Sequence, residues 1–273
     1  MIGIYRSTHY ALIAALTLCI VIIGQRSASA ETIDYIKERR ELIVCVSPRA
    51  EPYSDAILMI ERPKYPGIQI ELANQLAKKI GVGVKYSWLN FFLQADKVKC
   101  DLFMGVPKFK NETPHPFLKK SVSYYSGVKD IFVATKDFNL KGLKDFKGLR
   151  VAADTSTLAQ DILRKQNSGA ELFVSYIEDT KKLNALKKGE IDIALVTNIS
   201  LGWYQHDNPD LKEVIITPAS IIAPNKEYDF ALGLHKADEK TIKIFNTYLQ
   251  ELIADGTVKK IFNHYGIDYQ LND

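Results

Sequence analysis

The sequence predicts an α/β fold in which two lobes enclose a cleft. Short strands alternate with helices from Leu42 onward, which is the pattern of a sheet covered by helices on both faces. After a polar, lysine-rich connection (136–148), a second α/β unit begins at Leu149. The helices that remain beyond this unit are expected to pack back on the first lobe. Because ligands of such sheets bind beyond the carboxyl ends of the strands, the cleft is the expected site.

Apolar runs and apolar spacing place the individual elements. The predicted strands are 42–46, 84–89, 100–105, 129–135, 149–153, 175–176, 191–196, 213–217 and 228–235. The predicted helices are 68–80, 158–163, one from about Asp179 to Gly189, one that contains Ile242 and Ile253, and 258–265. The first lobe is therefore expected to combine 31–135 with 226–273, and the second lobe to span 136–225.

Residues 1–30 have the features of a secretory signal peptide. Arg6 precedes an apolar stretch from Tyr10 to Ile23, and Ala28-Ser29-Ala30 forms a small-x-small cleavage pattern. The apolar stretch is too short to span a bilayer comfortably, since that takes roughly 20 residues. We expect export to the periplasm with cleavage after Ala30, and an uncleaved N-terminal anchor is the alternative.

The mature chain would keep two cysteines, Cys45 and Cys100, each beside a short apolar run. An even number of cysteines in an oxidising compartment predicts a disulfide. The bond would join the first and third strands if these are neighbours in a parallel sheet. Two free buried thiols are the alternative, because free cysteine is itself among the most buried residue types.

Composition argues against several function classes. Without Arg6 and Arg26 the chain has 34 basic residues against 32 acidic ones, a net charge of +2 that is too small to favour nucleic acid or anionic membranes. No catalytic constellation is present, so neither an enzyme nor a cofactor is expected. No metal site is expected either, because four histidines lack metal-ligand spacing: His115, His206, His235 and His264.

Seven residues are candidates to line the cleft. Tyr53 lies on the loop after the first strand, and Trp88 lies at the end of the strand 84–89. The hydroxyls of 155–157 start a helix in the second lobe, where they can hold an anion or a carbonyl oxygen. Core packing is the alternative role for Trp88, and N-capping is the alternative for the hydroxyls. The full set is Tyr53, Trp88, Gly105, Thr155, Ser156, Thr157 and Asn198.

Short motifs follow one another in order along nearly the whole mature chain. They are Pro52-Tyr53-Ser54, 67–73, Lys79-Ile80-Gly81, 144–152, 229–236 and 252–266. Their order resembles the polar-amino-acid-type periplasmic solute-binding proteins, family 3. The resemblance implies a two-lobed, periplasmic-binding-protein-like (type II) fold and a binding protein, although dehydratases exist on the same scaffold.

The segments around the cysteines resemble a narrower branch. Ile43-Val44-Cys45 and 99–107 are similar to the partners of periplasmic quinoprotein alcohol dehydrogenases, the MxaJ and XoxJ type. This resemblance implies an accessory or maturation factor of a PQQ-dependent methanol or alcohol dehydrogenase. The alternative partner is an ABC permease, for which the protein would be a small-solute receptor.

The sequence departs from the amino-acid-binding members of the family at two positions. Those proteins usually carry an arginine that clamps the ligand carboxylate, but here 106–113 follows Gly105 and no arginine occurs before Arg150. They also place an aspartate for the ligand amine five residues after the position of Asp192, where this chain has Thr197. Without a bidentate guanidinium and a paired carboxylate, a zwitterion would be poorly held.

Overall fold

The computed structural model describes residues 32–61, 64–89, 99–115, 117–154, 157–211, 213–224 and 227–272. Within these ranges the strands form two five-stranded sheets, one in each lobe, and a two-stranded ribbon. The strands are β1 (Glu41–Val46), β2 (Arg49–Ala50), β3 (Ser54–Asp55), β4 (Gly83–Trp88), β5 (Leu102–Lys108), β6 (Leu118–Val128), β7 (Asp130–Ala134), β8 (Arg150–Ala152), β9 (Glu171–Phe173), β10 (Ile193–Thr197), β11 (Ile215–Pro218) and β12 (Tyr228–His235). The helices are α1 (Ile33–Arg39), α2 (Leu58–Glu61), α3 (Ile68–Ile80), α4 (Leu158–Lys165), α5 (Asp179–Lys187), α6 (Asn198–Asp207), α7 (Glu239–Ala254) and α8 (Thr257–His264).

The sheet of the first lobe has the order β4-β1-β5-β12-β6, with β1 parallel to both of its neighbours. Successive residues of a strand point to opposite faces of the sheet. Accordingly, Leu42, Val44 and Val46 join a large core that also contains residues of α1, α3, α7 and α8. Cys45 faces a smaller cluster on the other side. The C-terminal helices thus return to the first lobe, as expected.

A disulfide between Cys45 and Cys100 joins β1 to the residues that lead into β5. The two strands are parallel neighbours, with Val44 opposite Leu102, and the two cysteine Cα atoms are 5.8 Å apart. The predicted link between the first and third strands of this lobe is confirmed. Closing a loop of this length stabilises a fold by roughly 4 kcal/mol in the chain-entropy model.

The sheet of the second lobe has the order β11-β7-β10-β8-β9, and separate apolar clusters cover its two faces. β8 runs parallel to β9 and β10, whereas β7 runs antiparallel to β10 and β11. Because β7 belongs to this sheet, the chain crosses between the lobes near Lys129, and not at 135 as the sequence suggested. An apolar run predicts that a strand forms, but it does not say which sheet the strand joins.

The sequence analysis missed the elements α1, α2, α6, β2, β3 and β6. Two of these, β6 and α6, were missed for different reasons. The first half of β6 carries Lys119, Lys120 and Ser121 and is only partly buried, so it lacks an apolar run. Helix α6 has apolar residues on two opposite sides, because Ile199 and Trp203 join the core of the first lobe while Leu201 and Tyr204 join that of the second. A helix that packs on two cores shows no single apolar stripe.

A smaller error concerns β9, which was predicted at 175–176 and lies at Glu171–Phe173.

In the described part of the chain, no helix combines the length and apolar character that crossing a membrane requires. The predicted signal peptide lies outside the described residues.

Candidate functional site

A cavity of about 470 Å³ lies between the two lobes. This volume is within the range of small-molecule sites, roughly 300–1,000 Å³. The first lobe contributes Pro107 and Phe109 from the end of β5 and Tyr228 from the start of β12. The second lobe contributes the polar residues of the wall, which are Asp130, Asp154, Thr157, Asp179, Lys182 and Thr197. All the charged groups of the described wall therefore come from the second lobe, which also contributes apolar residues such as Leu158 and Val196, whereas the first lobe contributes a proline and two aromatic rings.

Strand direction explains why three aspartates meet in this cavity. Asp130 starts β7 and pairs with Thr197 at the end of β10, because these strands are antiparallel. Asp154 follows β8, which is parallel to β10 and so ends at the same edge of the sheet. Asp179 is the first residue of α5, and its Oδ2 accepts a hydrogen bond from the Thr197 backbone N–H at 3.3 Å. Three carboxylates thus share one edge.

Lys182 is the one cation among the described residues that line the cavity, and it is already paired. Its side chain is 2% exposed, and Nζ donates to Asp179 Oδ1 at 2.8 Å and to the Leu195 carbonyl at 3.2 Å. A buried lysine is retained where such partners satisfy it. The ammonium therefore balances Asp179, and no ion pair within the described residues compensates the carboxylate of Asp130.

Asp130 shows the effect of this excess negative charge. Burial raises the pKa of its carboxyl group, and the nearby carboxylates of Asp179 and Asp154 raise the pKa further. The ammonium of Lys182 acts in the opposite direction without cancelling the shift. A carboxylate with a raised pKa is one whose charge the folded protein compensates poorly. A cation placed beside Asp130 would supply the missing compensation.

Two aromatic rings form the wall of the first lobe. The ring centroids of Phe109 and Tyr228 are 5.6 Å apart, and Tyr228 packs edge-on against Phe230 at 5.8 Å. Burial raises the pKa of the Tyr228 phenol, and the charges of Asp130 and Asp179 add to this effect. The phenol therefore stays neutral, and both rings present π-systems beside the acidic wall. Aromatic faces attract cations within about 6 Å of the ring.

Three contacts cross the cleft from a single segment of the first lobe (49–53). The Tyr53 hydroxyl lies 3.0 Å from Thr197 Oγ1, and the Thr180 hydroxyl donates to Glu51 Oε2 at 2.9 Å. Arg49 Nη1 lies 3.9 Å from a carboxylate oxygen of Glu178. The lobes are therefore in direct contact, and the cavity lies between them.

The structure places two of the predicted site residues at the cleft. Tyr53 spans it, as described above. Thr157 lines the cavity and also caps α4, since its Oγ1 accepts a hydrogen bond from the Gln160 N–H at 3.3 Å. Both roles that the sequence left open for Thr157 are thus geometrically available. Thr155 and Ser156 lie outside the described residues.

Three other predicted residues lie away from the cavity wall. Trp88 ends β4 at the edge of the first sheet, beside the ring of Tyr86. Gly105 has φ +64°, a left-handed conformation that favours glycine, and it lies beside the side chain of Gln69. Asn198 holds the crossing between the lobes, because its Nδ2 donates to the Gly127 carbonyl and its Oδ1 accepts from the Lys129 N–H, both at 3.0 Å.

Sequence reasoning did not assign the acidic wall of the site. It used Asp179 only to mark the start of a helix and did not single out Asp130, Asp154, Lys182 or Tyr228. The available signal was an aspartate beside the end of a buried strand. Whether such aspartates lie close together depends on the direction of each strand and on the sheet to which it belongs. The sequence had assigned β7 to the wrong lobe.

A sequence profile of the bacterial extracellular solute-binding proteins, family 3, matches residues 42–268. The chain belongs to this family. Two relatives of this chain are the arginine-binding extracellular protein ArtP of Bacillus subtilis and the L-cystine-binding protein TcyJ of Escherichia coli K12. ArtP is 26% identical over 261 residues, which cover 91% of this chain and 92% of the relative. TcyJ is 23% identical over 233 residues, which cover 84% of each chain.

Solved structures confirm the two-lobed binding-protein fold. A Streptococcus pneumoniae ABC uptake transporter substrate-binding protein with bound histidine matches with a TM-score of 0.66 and 19% identity, covering 88% of this chain and 98% of that one. A mutant of ArgBP from T. maritima matches with a TM-score of 0.64 and 21% identity, covering 85% of this chain and 98% of that one. At these identities the structural similarity shows the fold alone. The identity of the ligand therefore has to be inferred from the residues of the site.

Proposed function

We propose that this family 3 protein is the exported solute receptor of an ABC-type importer, which closes its lobes around a small molecule. The observation that carries the proposal is the cavity of about 470 Å³ that both lobes border, in a cleft that contacts from one segment of the first lobe cross. The relatives named for arginine and cystine binding support a small-molecule ligand in the same place. The family description supports action outside the cytoplasm.

The contacts across the cleft are too weak to hold it closed by themselves. The Tyr53–Thr197 and Thr180–Glu51 hydrogen bonds contribute about 1 kcal/mol each, as is typical of such bonds. The Arg49–Glu178 pair is loose and its arginine is exposed, so it contributes less. A ligand that contacts both lobes would add the free energy that shifts the population towards the closed form. A permease would then recognise the ligand-bound protein by its closed form.

The test is a thermal-shift screen of the mature protein against a library of small solutes, followed by calorimetry of each hit. A ligand at 100 times its dissociation constant should raise the unfolding free energy by about 2.7 kcal/mol. A hit should also reduce the radius of gyration measured by small-angle scattering, because the lobes close. A complete absence of hits across amino acids, amines, sugars and organic acids would remove the receptor role.

The partner role beside a quinoprotein dehydrogenase stays a prediction from sequence resemblance. The Cys45–Cys100 disulfide on which it relied does form, but a bond between neighbouring strands stabilises the sheet whatever the partner is. The family match and the relatives support the importer role better. Co-purification with a methanol dehydrogenase, in the absence of any solute-induced thermal shift, would reverse this preference.

A further inference from the structure

We propose that the ligand of the cleft is a small protonated amine or guanidine that carries no carboxylate. The proposal deepens the receptor function and rests on it, because it assumes that the cavity between the lobes takes a solute. It assigns the charged end of the ligand to the aspartates of the second lobe and its apolar body to the aromatic wall.

The charge of the cavity is the first argument. Its described lining contains Asp130, Asp154 and Asp179 against Lys182 alone. Lys182 is buried and held by Asp179 and by the Leu195 carbonyl, so it is not available to a ligand without breaking that pair. Within the described lining the carboxylates therefore outnumber the cations, in a partly buried site where electrostatic interactions are stronger than in water.

Asp130 is the best placed of these groups to meet a ligand. No hydrogen bond or ion pair from the described residues reaches its carboxylate, although its backbone is fixed in β7 opposite Thr197. Its raised pKa has burial and the two other aspartates as causes. A donor group with a positive charge would satisfy the carboxylate and cancel the repulsion together. Charge-assisted hydrogen bonds of this kind are roughly twice as strong as neutral ones.

The same lining disfavours a ligand carboxylate. No arginine is present in the described wall of the cavity, and its lysine is engaged by Asp179. An α-carboxylate would therefore meet three aspartates without a matching cation, which leaves a buried charge unpaired. An amino acid would add one favourable and one unfavourable charge, whereas the corresponding amine would add only the favourable one.

The aromatic wall indicates the chemistry of the uncharged part of the ligand. The rings of Phe109 and Tyr228 lie on the first-lobe side of the cavity, and Pro107 and Leu158 add apolar surface. A short alkyl chain would pack on these groups, and its cationic end would gain from the π-systems. Metal chelation does not account for the aspartates, because no three His, Cys, Asp or Glu side chains in the described structure are grouped to hold an ion.

The decisive measurement compares ligands that differ only in the carboxylate. Isothermal titration calorimetry of the mature protein would use agmatine against arginine, and cadaverine against lysine, at pH 7. We expect at least one of the amines to bind ten-fold or more tightly than its amino acid. An amino acid that binds as tightly as its amine overturns the proposal but leaves the receptor function intact. Failure of all four to bind also overturns it, and other hits in the solute screen would then preserve the receptor function.

Variants identify the carboxylate responsible. Asp130→Asn should weaken binding of the preferred amine at least ten-fold, and Asp154→Asn should weaken it as well. Glu171→Gln is the matched control, since it removes the same charge from an exposed position of the second lobe outside the cavity. Circular dichroism would verify that each variant is folded. Unchanged amine affinity in both aspartate variants would contradict the assignment of the amine to these carboxylates. Amine binding that requires added Ca²⁺ or Mg²⁺ would contradict it as well.

Discussion

The two lobes are built alike but held together differently. The first lobe has a large continuous core and a disulfide between neighbouring strands, whereas the second has a smaller apolar cluster on each face of its sheet. The second lobe nevertheless supplies every charged group that lines the described cavity. The comparison indicates a division of roles, in which the first lobe is the rigid frame with an aromatic wall and the second carries the electrostatic recognition.

Removing the disulfide should have the largest effect, because it weakens the rigid lobe. The double variant Cys45→Ser/Cys100→Ser should lose about 3–4 kcal/mol of unfolding free energy, measured by urea denaturation of the oxidised and variant proteins. Ligand affinity of the folded fraction should change little, since neither cysteine lines the cavity. A loss below 1 kcal/mol would show that the core alone sets the stability of this lobe.

Breaking the connection between the lobes should have the next largest effect. Asn198→Ala removes two side-chain hydrogen bonds to the crossing strand, those to the Gly127 carbonyl and the Lys129 N–H. We expect a loss of about 1–3 kcal/mol, because two partly buried backbone groups lose their partners. Asn208→Ala, near the other end of α6, serves as the control helix-end substitution, and faster hydrogen exchange at Lys129 only in Asn198→Ala would confirm the local cause.

Tyr53→Phe tests the contact between the frame and the recognition lobe. The substitution deletes the hydroxyl that meets Thr197 Oγ1 and keeps the ring that packs on Phe230 at 5.3 Å. Closed-state stability should fall by about 1 kcal/mol, which corresponds to roughly five-fold weaker ligand binding. Tyr35→Phe, on the exposed side of α1, is the matched control. Equal affinities of the two variants would indicate that the contact does not contribute to closure.

The smallest effect is expected from removing the charge of Asp130, and this removal should stabilise the ligand-free protein. A carboxyl whose pKa is raised on folding favours the folded state at low pH, and this contribution is lost as the pH rises through the folded pKa. At pH 7 the ionised group therefore opposes folding, and Asp130→Asn should raise the melting temperature of the ligand-free protein by about 1–2 °C. The difference should vanish towards pH 4. A lower melting temperature at pH 7 would mean that the carboxylate is compensated by a partner.

Sequence periodicity was sufficient to predict an element when that element packs on a single core. Helix α3 was predicted with its observed bounds, and Gly81 ends it in a left-handed conformation at φ +82°. It failed for α6, whose residues divide between two cores, and for β6, whose first half is polar and partly buried. The pattern also misassigned β7, because sheet membership depends on partners that are distant in sequence.

The sequence by itself predicted the fold class, the family and the pairing of Cys45 with Cys100. These follow from local apolar patterns, motif order and counting, which require no knowledge of contacts. Only the tertiary structure decided that Asp130, Asp154 and Asp179 share one edge and that Lys182 is already paired. The physical reason is that charge in a cleft is a sum over residues far apart in the chain, and strand direction decides which of them meet.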